Sequence, residues 1–130
     1  MRPIFLAVCL VLTATSPLSA APTDETADIA KNLAENILGR GQVRSSRSTN
    51  GGRGLVMAWE SPTYRSHHAA AHTRELLEAE VGLAWGAIWR VLHRVEALEF
   101  EITSGGRRLC SGTATRTRPL VIVYARDLGN

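Results

Sequence analysis

Cysteine is nearly missing from this chain. Its 130 residues hold two, Cys9 and Cys110, and Cys9 falls in a leader-like segment, so no internal disulfide framework is available. Cys110 then reads in one of two ways: a covered thiol that behaves as a small hydrophobe, or half of an intermolecular disulfide. Lysine is scarcer still, with Lys31 alone against fourteen arginines. The formal net charge is +3, and +2 without Arg2. No basic tract accounts for it, and nucleic acid is not an expected partner. Long hydrophobic runs are lacking too. After residue 21 the longest uncharged stretch, VGLAWGAIW, has nine residues, against the ~20 of a membrane-spanning helix, so no span is expected in the mature chain. Catalytic signatures are missing as well. No serine stands in a Gly-x-Ser-x-Gly elbow, and neither GGRG nor SGG has the strand–loop–Lys-Ser/Thr context of a phosphate loop. No catalytic or cofactor-binding residue is assigned, and a non-enzymatic role is expected.

What is present begins with MRPIFLAVCLVLTATSPLSAAP. Arg2, the apolar run from Ile4 to Leu12 and the small residues that follow have the three parts of a secretory signal peptide. Residues 1–20 are assigned to it, with cleavage after Ala20 or Ala21. The remaining 21–130 are then one exported domain, periplasmic or extracellular, of a length that buries one two-layer core.

PTDETADIAKNLAENILGRG predicts an amphipathic helix capped by Thr23 or Asp24 and ended by Gly39, with a stripe of Ala30, Leu33, Ala34, Ile37 and Leu38. The next stretch, 39–54, contains no acid and four arginines: Arg40, Arg44, Arg47 and Arg53. It is either a flexible loop or a polar edge hairpin turning at Asn50-Gly51-Gly52. An acid-free arginine cluster can hold an anion or an acidic partner, though its commonest role is to stay solvated. GLVMAWES at 54–61 is a strand, broken by Pro62.

A long helix is predicted from Thr73, or somewhat earlier, to about Val95. Leu77, Val81, Ala84, Ile88, Val91 and Val95 recur at the spacing of one helical face. Glu75, Glu78 and Glu80 at its start suit the helix dipole. SHHAAAH at 66–72 precedes it. A helix running back through this segment would present His68, His72 and Glu75 on one side, a geometry open to a divalent metal. No glutamate lies between the histidines and no fourth ligand is near, so a solvated helix start is the plainer reading. Opposite the apolar stripe lie Ala79, Gly82 and Gly86, bordered by Trp85 and Trp89. Two glycines inside a helix cost about 1 kcal/mol each relative to alanine. This face therefore predicts a close neighbour: the N-terminal helix, a second copy or another protein.

ALEFEITS, SGGR and RLCSGTATR predict a hairpin, and PLVIVYA one more strand. A two-residue turn at Gly105-Gly106 would set Ile102 opposite Leu109 and Glu101 opposite Cys110. Cys110 would then lie on the polar face, with Glu99 and Glu101 paired to arginines across the hairpin. Together these elements predict an α+β domain, a mainly antiparallel sheet of four or five strands packed on one long helix, with the N-terminal helix beside it. The expected function is an exported module that binds an unknown protein partner or a second copy. The surface would be the open sheet face or the Gly82, Gly86 and Trp89 face. The alternatives are metal binding at His68, His72 and Glu75, and anion or acidic-partner binding by the 40–53 arginines.

Overall fold

Asp24 starts the fold by capping a helix and holding a strand at once. The computed structural model describes residues 24–67 and 72–128, with the backbone alone at 65–67. The signal peptide predicted at 1–20 lies outside the described residues. Helix α1 (Glu25–Leu38) opens where the Asp24 carboxylate accepts from the Ala27 N–H at 3.1 Å and ends at Gly39, whose φ of +113° suits glycine. The same carboxylate accepts from the Ser48 N–H at 2.7 Å and its hydroxyl at 2.8 Å. These bonds hold its pKa below the usual aspartate value. The buried stripe of α1 is Ala27, Ala30, Ala34 and Leu38, whereas Ile37, predicted inside, is exposed. Three alanines let the helix lie close to a serine-rich strand, so close that Ser46 Oγ donates to the Ala27 carbonyl at 2.8 Å.

That strand settles the alternative for 39–54 in favour of the hairpin. β1 (Val43–Thr49) and β2 (Gly54–Glu60) pair antiparallel across a 3-10 turn at Asn50–Gly52. Pro62 does more than break β2. It occupies the first position of a short helix, α2 (Pro62–His67), where a missing N–H costs nothing, and Ser61 caps it by accepting from the Tyr64 N–H at 2.9 Å.

Helix α3 (Thr73–Val91) buries Leu77, Val81, Ala84 and Ile88 as predicted. It stops at Val91, short of Val95. Arg116 binds this end: its guanidinium donates to the carbonyls of Trp89, Leu92 and His93 at 2.9–3.1 Å and to that of Val95 at 2.7 Å. The chain leaves the helix here, so Val95 reaches the core from the loop while Val91 stays exposed. Among the described residues no helix is long and apolar enough to cross a membrane.

β3 (Ala97–Ser104), β4 (Arg107–Thr115) and β5 (Val121–Tyr124) complete a five-stranded sheet of order β1-β2-β3-β4-β5. The domain is α+β and its sheet is mixed. β2 and β3 are parallel because the α2–α3 crossover returns the chain to the end where β2 began, and the other pairings are antiparallel. Both long helices lie on one face. Under them, Leu55, Met57, Trp59, Leu98, Phe100 and Ile102 form the core, with the Trp59 and Phe100 rings stacked 6.0 Å apart. Gly112 lies over Phe100 where any Cβ would strike the Val121 carbonyl.

The β3–β4 hairpin departs from its predicted register. Ile102 faces Cys110, and Thr103 faces Arg108, with the irregularity between them. One extra residue on β4 is a bulge. Its consequence is that both Leu109 and Cys110 are buried, with Cys110 only 1% exposed. Cys110 therefore sits on the helix-covered face, not among the polar residues of the other.

Candidate functional site

Strand alternation sends every second side chain to the face opposite the helices, and no described element covers it. Two rows of residues cross that face. One runs Arg47, Val56, Glu99, Thr113, Val121, and the other Ser45, Ala58, Glu101, Ser111, Val123. The rows rim a shallow concavity of about 420 Å³ lined by Ser45, Val56, Ala58, Glu99, Glu101 and Thr113, among others. Arg47 and Glu99 also line a neighbouring hollow of about 250 Å³. At the β5 edge Val121 and Val123 are 60% and 64% exposed.

Glu99 and Glu101 stand at the centre of this surface. Arg108 stands opposite Thr103, as in the predicted register, and the bulge beyond that pair brings Thr113 and Ser111 opposite the two carboxylates, so the predicted cross-strand pairing with arginine does not form. Neither makes a hydrogen bond or ion pair among the described residues. Glu60, at the end of β2, behaves differently. It accepts from the Thr103 hydroxyl and from the Gly105 N–H at 3.0 Å, and these bonds, with Arg44 nearby, hold its pKa below the usual glutamate value.

A second polar constellation lies under the helices. Glu80, read from the sequence as a dipole-facing surface acid, is 3% exposed. It accepts from Trp59 Nε1 at 2.8 Å, from Ser61 Oγ at 2.9 Å and from the Thr63 hydroxyl. Its position three after Leu77 and four before Ala84 puts it inside the apolar stripe, and that spacing is the signal which marks it. Burial, with the Glu80 charge nearby, pushes the Cys110 thiol up to about 12. Tyr124 is likewise pushed up, by burial and by the hydrogen bond it donates to Glu78 at 2.9 Å. This group locks β2, α2 and α3 together. A thiol so protonated and covered is withdrawn from an intermolecular disulfide in the folded domain.

The other predicted sites are dispersed. His68 lies outside the described residues. His72 Nδ1 and Glu75 Oε1 are 2.6 Å apart, but His72 has a left-handed backbone, φ +68°, so α3 does not run back through it. The metal geometry assumed a continuous helix there. Among the described residues no three His, Cys, Asp or Glu side chains gather as metal ligands. Of the arginines, Arg53 pairs with Glu96 at 3.8 Å, Arg40 borders a hollow with Asn32, Glu35 and Asn36, Arg44 is near Glu60, and Arg47 belongs to the open sheet face. Each has its own surroundings, and they form no single anion cradle. Gly82 and Gly86 have open space where a Cβ would stand. α1 packs against β1 and the flank of α3, so the glycine face is not its docking site. Trp85 is buried, and Trp89 lies beneath the guanidinium groups of Arg90 and Arg116, 5.6 and 5.3 Å from the ring centroid.

Compared with family models, with curated proteins and with solved structures, the chain matches none of them.

Proposed function

We propose that this chain is an exported binding module whose working surface is the uncovered face of its sheet. The observation that carries the reading is the pair Glu99 and Glu101, two charged side chains at the centre of a concave sheet face without a partner among the described residues. Like charges on alternate residues of one strand repel, weakly in water. A partner that brings hydrogen-bond donors or cations to them, with apolar atoms over Val56 and Ala58, removes that repulsion. The signal-like segment at 1–20 supports the export half of the reading.

The test is site-specific photo-crosslinking in a cell that exports the chain. A crosslinking residue replaces Ala58 in one chain and Gly82 in another. The expected result is a discrete adduct from position 58 alone, lost when Glu99→Arg and Glu101→Arg are added, on a mature chain that starts at Ala21 or Pro22. Adducts from position 82 alone, or none from 58, would move the binding surface off the sheet.

A further inference from the structure

We propose that the partner is a second copy of this chain, seated face to face on the open sheet about a two-fold axis that runs along β2. The inference rests on the binding reading above and adds the partner's identity. It follows from the register of the two rows. Arg47 on β1 and Glu99 on β3 flank Val56 in one row, and Ser45 and Glu101 flank Ala58 in the other. Neighbouring strands are ~4.8 Å apart, so β1 and β3 are equidistant from β2.

A two-fold axis parallel to the strands and above β2 keeps each row over itself and exchanges β1 with β3. Arg47 of one copy then comes over Glu99 of the other, and the reverse pair forms by symmetry. Ser45 comes over Glu101 as a hydroxyl donor. On the axis Val56 comes over Val56 and Ala58 over Ala58, so no charge meets its like there. Every position meets a compatible one, as an isologous interface requires. Two other axes bring like charges together. One above β3 sets Glu99 and Glu101 against their own counterparts, and one running across the strands sets Glu99 on Glu101. Packed sheets stand ~10 Å apart, a gap that an arginine and a glutamate reaching from opposite sides close between them.

Only β1, β2 and β3 overlap in this arrangement, so the contact is smaller than the ~800 Å² per partner of a standard interface. The dimer is accordingly transient, and its paired charges make it sensitive to salt. β4 and β5, with Val121 and Val123, extend beyond the overlap.

Sedimentation velocity of the purified mature chain, over a concentration series at low and high salt, tests this with Arg47→Glu, Glu99→Arg and the double exchange R47E/E99R. Wild type should dimerise, each single variant should weaken the dimer at least about tenfold, and the double exchange should restore it. Both substituted positions, 47 and 99, are exposed, and circular dichroism confirms the fold. As a second readout, Ala58→Cys should be trapped as a dimer by a short bismaleimide, since the buried Cys110 does not compete. A chain that is monomeric throughout, a dimer indifferent to both single variants, or one that the double exchange does not restore would overturn the proposal. If the chain is monomeric yet position 58 crosslinks to a different protein in the exporting cell, this inference falls and the binding reading stands. If it is monomeric and position 58 gives no adduct, both fall.

Discussion

Cys110 and Glu80 lie near one another under the helices, and each is placed there by a different feature of the fold. Cys110 turns inward because the β4 bulge inserts one residue, and its thiol stays protonated up to about 12, above the ordinary 9.0. The unfolded chain releases that proton first. Between about 9 and about 12 the folded state therefore binds more protons, and stability falls as pH rises; Tyr124, also pushed up, adds to the same limb. Thermal melts across this range should show a shallower loss in Cys110→Ala than in wild type, and equal slopes would refute the assignment. Glu80 is the acceptor for an indole N–H and two hydroxyls. Glu80→Gln keeps the volume but sets an NH2 among donors, and should cost about 1.5–3 kcal/mol in urea unfolding. The apolar phase of α3 was readable around Glu80. What was not readable is that Trp59, Ser61 and Thr63, from 17 to 21 residues earlier, converge to make a buried carboxylate tolerable.

At the scale of elements, the end of α3 is held by a residue after β4. Arg116 collects four carbonyls at the helix terminus and its following loop, groups that otherwise have no intrahelical donor. Arg116→Ala should lower stability by about 1–2 kcal/mol, the exposed site softening the usual value for charged hydrogen bonds. Hydrogen exchange should quicken in the last turn of α3, and lysine should not rescue it, because a point charge cannot span several acceptors as a guanidinium does. Unchanged exchange in that turn would show that the helix ends there for another reason. The strand and helix kinds were legible from periodicity: ALEFEITS alternates and spans β3 residue for residue. The helix end and the β3–β4 register were not. Both depend on partners distant in sequence, and a bulge leaves no mark on alternation when Leu109 and Cys110 are each acceptable in a core.

For the whole molecule, the pattern of apolar residues placed the helices on one face and left the other open, and the Ala-rich side of α1 hid where that helix would dock. Alanine at 27, 30 and 34 reads as weakly apolar, yet it is what allows α1 to lie against the serines of β1. The same pattern left Glu99 and Glu101 outside without saying whether arginine would meet them. Among the described residues none does, and the two carboxylates sit on alternate residues, ~7 Å apart along the strand. At a water-like dielectric their repulsion is about 0.6 kcal/mol, reduced by salt. A surface kept for binding holds groups that the isolated fold would be more stable without. Glu99→Gln should therefore raise the melting temperature of the monomer slightly at low salt, with the gain fading as salt is added, while it weakens whatever association the open face supports. Opposite signs for stability and association, measured on the same variant, are what separate a working surface from a merely solvated one. A loss of stability in Glu99→Gln would instead mean that the carboxylate serves the fold.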